Sequence, residues 1–112
     1  MKIALDYDQT FTNDEGLWIS FVKNAKDRGH SVTFVTFRKE NGNNQDILAD
    51  AELLGIDIVF CNFKQKASQF IADIWIDDSP QYIPKAEVYK DHWHRYGVAE
   101  QIKKSFKSSN DL

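Results

Sequence analysis

Cysteine is almost absent from this sequence, since Cys61 is the only one in 112 residues. A single cysteine excludes an internal disulfide and is typical of a reducing compartment, so we expect a cytoplasmic protein with Cys61 buried in a strand. An excess of basic charge is missing too, because 14 Lys and Arg stand against 17 Asp and Glu. The formal charge of −3 disfavours a general nucleic-acid-binding protein.

Long apolar runs, repeats and linkers are also missing. No apolar run approaches the roughly 20 residues that a membrane-spanning helix needs, and Met1-Lys2 leads into a strand pattern without a signal-peptide layout. With 42% hydrophobic residues, the composition is that of an ordinary soluble domain. We therefore predict one domain over residues 1–112, with its core over about 1–90 and a C-terminal helical extension over 91–112 that ends in a frayed tail.

Strand and helix patterns alternate along the chain. Runs rich in β-branched and aromatic residues predict strands over residues 3–5, 32–37, 58–61 and 74–76. Apolar residues at helical spacing predict helices between them, on Leu17, Trp18, Phe21, Val22 and Ala25, then on Ile47, Leu48, Ala51 and Leu54, and in a short segment on Ala67, Phe70 and Ile71. Gly29 and Gly55 are typical helix stops, and Asn13 or Asp14 can cap the first helix.

This alternation predicts an α/β fold, a three-layer Rossmann-like arrangement with a mainly parallel sheet of four to five strands. The strands are nearly continuous apolar runs, as expected when helices cover both faces of a sheet. After Pro80 the pattern is less regular. Ala86–Tyr89 predicts a fifth strand at the edge, and Val98, Ile102 and Phe106 predict one face of a last helix.

Polar side chains able to do chemistry follow the predicted strands. They are Asp6, Asp8 and Thr10 after the first strand, Thr36 and Arg38 at the second, Lys64 and Lys66 after the third, and Asp77 and Asp78 after the fourth. In an open parallel sheet, ligands bind outside the carboxyl ends of the strands, near the point where the strand order reverses. We therefore expect these residues to form one site.

Four of these residues, Asp6, Asp8, Asp77 and Asp78, create a charge problem if they share a crevice. Two unit charges about 4 Å apart repel by roughly 4 kcal/mol at an effective dielectric constant near 20. Either some carboxylates are protonated or a cation lies among them. Oxygen ligands favour a hard divalent cation, and Mg²⁺ is the natural candidate. The segment His92-Trp93-His94 does not have the spacing of a zinc site.

The same stretches resemble the four motifs of the haloacid dehalogenase (HAD) superfamily of phosphohydrolases. DYDQT after an apolar strand resembles the first motif, DxDxT, and VTFVT ending at Thr36 resembles the second. A lysine before the fourth strand resembles the third; Lys64 and Lys66 both fit, and Lys66 is preferred because it opens a helical pattern. IWIDD resembles the fourth. The resemblance covers most of residues 1–80, with Gln9 where many members have glycine.

The resemblance implies a phosphomonoester hydrolase that forms an aspartyl-phosphate. Asp6 would be the nucleophile and Asp8 the general acid and base. On a strand, residues i and i+2 share a face, so both carboxyl groups would point at one substrate. Thr36 and Lys66 would bind the transferring phosphoryl group. Arg38 either binds a substrate phosphate or lies solvated in its loop.

The resemblance also implies a cofactor and a substrate class. Mg²⁺ would be held by Asp6, the backbone carbonyl of Asp8, and Asp77 together with its neighbour Asp78. The gaps between the motifs leave no room for a cap domain, so the chain resembles the capless subgroup. An open site of that kind suits a large phosphorylated substrate, such as a nucleic-acid end or a phosphoprotein, or closure by a partner subunit.

Two other classes of protein share parts of this pattern. A response-regulator receiver domain has its phosphorylated Asp at the end of the third strand, where this chain has Cys61 and Asn62, and the mismatch disfavours that class. A catalytically inactive HAD-fold module that binds or regulates stays open as an alternative.

Overall fold

The structure is a computed structural model, and it describes residues 1–83. Its strands and helices are β1 (Lys2–Leu5), α1 (Glu15–Asp27), β2 (Ser31–Thr36), α2 (Gln45–Leu54), β3 (Asp57–Phe60) and β4 (Ile74–Ile76). Short helical turns cover Tyr7–Phe11, Lys66–Ser68 and Pro80–Tyr82. No helix within residues 1–83 is long and apolar enough to cross a membrane. The predicted edge strand, the last helix and the His92-Trp93-His94 segment lie outside the described residues.

The four strands form one parallel sheet in the order β3-β2-β1-β4, which confirms the α/β class. The chain moves outwards from β1 to β2 and β3, and then returns to the other side of β1 to form β4. The strand order therefore reverses between β1 and β4, where a parallel sheet opens a crevice at its carboxyl edge. The register pairs Leu5 with Ile76, so the next residues, Asp6 and Asp77, leave the sheet side by side.

The predicted helix boundaries are confirmed at α1 and α2. The Asp14 side chain caps α1 by accepting a hydrogen bond from the Leu17 amide at 3.2 Å. Gly29 follows α1 with a φ of 87°, and Gly55 ends α2 with a φ of 65°. Both lie in the left-handed region that favours glycine. Lys26 donates to the carbonyl oxygens of Leu54 and Gly55, each at 2.9 Å, and so links α1 to the end of α2.

Both helices cover the same face of the sheet. The main core lies between them and the strands, and its buried residues include Ile3, Leu5, Phe11, Val22, Ala25, Val32, Phe34, Ile47, Ala51 and Leu54. Burial of this apolar surface is the principal favourable term in folding. Leu17 and Leu48, which the helical spacing assigns to the apolar faces, are instead exposed. They lie at the margins of those faces, outside the arc that meets the sheet.

The opposite face is covered by the connection between β3 and β4. Ala4, Val35, Cys61 and Ala72 form a smaller buried cluster there. Cys61 is buried as predicted, but it follows β3 rather than lying in the strand. The predicted helix over residues 67–71 is wrong, because only Lys66–Ser68 forms a 3₁₀ turn. This connection crosses from the β3 edge of the sheet to β4, on the far side of β1, over residues 61–73. Within residues 1–83 the third layer stays a prediction.

Candidate functional site

Asp6, Thr10, Asp77 and Asp78 meet at the carboxyl edge of β1 and β4. The Asp6 amide donates to the carbonyl oxygen of Ile76 at 2.9 Å, which continues the pairing of the two strands by one residue. Asp6 is buried, and the Asp77 side chain is only 2% exposed. One carboxylate oxygen from each of Asp6, Asp77 and Asp78 lies within 4.8 Å of the others. The predicted convergence of acids from the first and fourth strands is therefore present for these three carboxylates.

Lys66 lies between two of these carboxylates. Its Nζ is 2.8 Å from Asp6 Oδ1 and 2.5 Å from Asp77 Oδ2, and the side chain is buried. Burial alone would lower the pKa of Lys66, but its hydrogen bonds to Asp6 and Asp77 hold the pKa above its ordinary value. Lys64 is exposed and lies outside this cluster. Of the two lysines that fit the third motif, Lys66 is the one beside the acids.

Thr10 joins the third carboxylate, Asp78, to Asp6. The turn Tyr7–Phe11 carries its hydroxyl to 3.1 Å from Asp6 Oδ2 and 3.0 Å from Asp78 Oδ1, and the hydroxyl accepts the Asp78 amide at 3.2 Å. A hydroxyl has one proton, so it donates to only one of the two carboxylates at a time. The other carboxylate oxygen needs a different donor, and a shared proton or a bound cation would reduce the repulsion between the two carboxylates.

The charge balance of the site also favours a proton or a cation among the three carboxylates. Lys66 supplies one positive charge against the three carboxylates of Asp6, Asp77 and Asp78. Burial raises the pKa of Asp6 to about 7 from its ordinary 3.8, although Lys66 opposes the increase. The ligand atoms are all carboxylate oxygens, with no histidine or cysteine among them. This donor set fits a hard divalent cation such as Mg²⁺ better than zinc.

The Asp8 carboxylate lies outside this cluster. Its side chain is 49% exposed, and its two oxygens accept from Arg38, Oδ1 at 2.6 Å and Oδ2 at 2.9 Å. The strand-spacing argument for Asp6 and Asp8 is wrong because β1 ends at Leu5. Residues 7–11 then turn, and Gln9 adopts a left-handed φ of 65°. Metal contact through the Asp8 backbone carbonyl stays a prediction.

Arg38 is paired with carboxylates rather than solvated in its loop, and its contact with a substrate phosphate stays a prediction. Besides Asp8, its guanidinium binds Asp46 in the first turn of α2 through two hydrogen bonds of 2.7 and 3.0 Å. The hydrogen bonds from Arg38 lower the pKa of Asp46 to about 2. The hydrogen bonds to Asp46 and Asp8 in turn raise the pKa of Arg38 above its ordinary value. The guanidinium also lies over the Tyr7 ring, 5.2 Å from its centroid. A substrate phosphate would therefore have to compete with two carboxylates for Arg38.

Thr36 ends β2 and is fully buried. Its Oγ1 accepts the backbone N–H of Arg38 at 3.3 Å, which fixes the start of the loop after β2. Asn44 supports the other end of this loop, because its side-chain amide donates to the carbonyl oxygens of Lys39 and Glu40 at 2.9 and 3.1 Å. The contact of Thr36 with a phosphoryl group stays a prediction.

Sequence reasoning missed Asp46 and Asn44 as partners of the site. The available signal was a polar residue at the start of α2 followed by an acid in its first turn, both typical of a helix N-terminus. That pattern does not say that the acid reaches back to Arg38.

Two further features lie at the carboxyl edge of the sheet. A cavity of about 440 Å³ adjoins it, and the lining includes Thr10, Leu17, Trp18, Asp77 and Asp78. On the side of β2 and β3, the rings of Phe37, Phe63 and Tyr82 pack against one another, and we call these three residues the aromatic rim.

Comparison with protein-family models, curated proteins and solved structures found no match for this chain. Its function therefore has to be argued from the site itself.

Proposed function

We propose that this chain is a Mg²⁺-dependent phosphomonoesterase of the haloacid dehalogenase type, cytoplasmic and capless, with a three-layer Rossmann-like core. The observation that carries the proposal is the contact of Lys66 with Asp6 and Asp77, at the edge where Asp78 and Thr10 also lie. A surface cluster of acids does not require a buried lysine among them. A site for a phosphoryl group does, because negative charge has to be balanced as the group is transferred.

In the proposed first step, a carboxylate oxygen of Asp6 attacks the phosphorus atom of the substrate. The bond from phosphorus to the ester oxygen breaks, the leaving oxygen takes a proton from Asp8, and an aspartyl-phosphate forms on Asp6. In the second step a water attacks the same phosphorus and gives a proton to Asp8, while the bond from phosphorus to the Asp6 oxygen breaks. Inorganic phosphate leaves, and both aspartates return to their starting states.

Other residues of the site support these steps. Lys66 neutralises charge on Asp6 and on the transferring group, and Thr36 donates its hydroxyl to a phosphoryl oxygen. Asp6, Asp77 and Asp78, with the backbone carbonyl of Asp8, would hold Mg²⁺. When bound, this ion reduces the repulsion between the carboxylates and the phosphate dianion.

The proposal requires Asp8 to exchange partners. A proton on Asp8 removes the charge that pairs it with Arg38, so the protonated acid has to turn away from the guanidinium towards the substrate. Asp46 still binds Arg38 after that turn, which keeps the guanidinium paired. Alternatively, a regulatory module without turnover would keep the Asp8–Arg38 pair permanently closed, and this pair is the one observation that favours that second function.

A phosphatase assay with an aryl phosphate separates the two functions. We expect turnover that needs Mg²⁺, is removed by EDTA and is abolished by Asp6→Asn. Asp57→Asn is the matched control, because Asp57 is an exposed acid at the start of β3, at the opposite end of the strands, and it should leave turnover intact. Full activity in Asp6→Asn would disprove the assigned nucleophile, and no turnover by the unmodified chain on any phosphomonoester would favour the regulatory module.

A further inference from the structure

The aromatic rim is exposed beside the candidate site. Phe63 and Tyr82 are 59% and 42% exposed, and both pack against Phe37, with ring centroids 5.3 and 4.6 Å apart. Phe37 directly follows Thr36 at the end of β2, Phe63 follows β3, and Tyr82 follows the Asp77-Asp78 pair after β4. The three rings therefore come from the same carboxyl edge of the sheet as the acid cluster.

The backbone holds Phe63 in this position at a cost. Asn62 and Phe63 both have left-handed φ angles, 53° and 63°, a conformation that costs a bulky residue about 1–2 kcal/mol. Hydrogen bonds from the Asn62 amide to the Arg38 carbonyl oxygen, at 3.1 Å, and from the Phe63 amide to the Phe37 carbonyl oxygen, at 2.9 Å, maintain it. The result is an exposed ring on a fixed loop, which packing of the core does not require.

Two lysines, Lys39 and Lys64, lie at the rim, together with Glu40, whose amide donates to Asn62 Oδ1 at 3.1 Å. Lys39 Nζ lies 5.3 Å from the centroid of the Phe63 ring. The connection over residues 61–72 contains Lys64 and Lys66 and no acid. Within residues 1–83 neither Lys39 nor Lys64 forms an ion pair with a carboxylate. Exposed rings and unpaired lysines together are the combination that binds bases and phosphates of single-stranded nucleic acid.

We propose that the aromatic rim stacks against the base of a nucleotide whose terminal phosphate lies at Asp6. This inference rests on the proposed function and names its substrate class, a phosphomonoester next to a nucleobase. Phe63 and Tyr82 supply the stacking faces, while Lys39 and Lys64 attract a neighbouring phosphodiester. Free nucleotides and the phosphorylated ends of single strands share this chemistry. The lysines favour the strand end, because a mononucleotide has no second phosphate for them.

The test compares two substrates that differ only in the base. For thymidine 5′-phosphate and 2-deoxyribose 5-phosphate, we expect kcat/KM to favour the nucleotide by about tenfold, since stacking of one base gives roughly a fivefold to hundredfold gain. In Phe63→Ala this ratio should fall close to one, and in Phe63→Leu it should fall partly. Leu17→Ala, in the cavity on the other side of the acid cluster, is the matched control and should keep the ratio of the unmodified protein.

A second measurement separates this proposal from the phosphatase proposal. Binding of the same two ligands to Asp6→Asn, measured by calorimetry, should show the same preference for the nucleotide and the same dependence on Phe63, whether or not the chain turns over. A 5′-phosphorylated trinucleotide should bind more tightly than the mononucleotide, and Lys39→Gln should remove that gain. Three results would overturn the rim proposal but leave the phosphatase proposal intact. They are turnover without any preference for the base, a preference that is lost in Leu17→Ala rather than in Phe63→Ala, and faster turnover of a phosphotyrosine peptide.

Discussion

Replacing Asp6 with Asn should stabilise the protein while it abolishes turnover. Burial raises the pKa of Asp6 from 3.8 to about 7, so the folded protein binds this proton more tightly than the unfolded chain does. The contribution of Asp6 to stability is therefore present at low pH and is lost as the pH rises from about 4 to about 7. Asn has the same shape, still accepts from Lys66, and has no charge to desolvate.

The magnitude follows from the two pKa values. At about 1.4 kcal/mol per pH unit, the difference between 3.8 and about 7 corresponds to an upper limit of about 4 kcal/mol. Asp78 and the open edge of the site admit water, which screens part of this cost. We therefore expect Asp6→Asn to raise the free energy of unfolding by about 1–3 kcal/mol at pH 8 in the absence of divalent cations.

Urea unfolding with EDTA, repeated from pH 4 to pH 8, measures this difference. Other carboxylates titrate in both proteins, so the difference between the two free energies isolates Asp6. It should be close to zero near pH 4, increase up to about pH 7 and then level off. Asp57→Asn should follow the unmodified protein throughout. A variant that is less stable than the unmodified protein at pH 8, or a difference that does not change with pH, would refute the reasoning.

Three other outcomes are expected. Scanning calorimetry at pH 8 should show that Mg²⁺ raises the thermal midpoint of the unmodified protein more than that of Asp78→Asn. Equal increases in the two midpoints would exclude Asp78 as a ligand. Lys66→Met should destabilise the metal-free protein by roughly 3–5 kcal/mol because it leaves buried carboxylates unpaired; a loss below 1 kcal/mol in urea unfolding would contradict the ion-pair arrangement. Asp14→Ala should cost about 1 kcal/mol by removing the cap of α1 but leave kcat unchanged, and a lower kcat would show that the cap serves the site.

The sequence predicted the central part of the fold well because it depends on local patterns. Alternating strand and helix periods give a parallel sheet, and the residues after its strands have to meet at one edge. Asp6 and Asp77 meet there because β1 and β4 are neighbours. Gly29 and Gly55 marked the ends of the helices because few other residues adopt the left-handed conformation without strain.

The features that the sequence did not predict depend on the path of the connections. The Asp8 side chain turns away from Asp6 because β1 ends at Leu5, before the motif, and because its partner Arg38 lies in the loop after β2. The segment after β3, which reaches the far side of β1, forms a 3₁₀ turn rather than the predicted helix. The packing of Phe63 depends on a left-handed backbone that residue type alone does not indicate.

The most direct test of the account is a crystal structure of the protein grown with Mn²⁺ in place of Mg²⁺, in which anomalous scattering locates the ion. The account predicts an anomalous peak coordinated by the carboxylates of Asp6, Asp77 and Asp78, with Lys66 still in contact with the site. A peak elsewhere, or these carboxylates bound only to Lys66 and Thr10 at a saturating concentration of the ion, would contradict it.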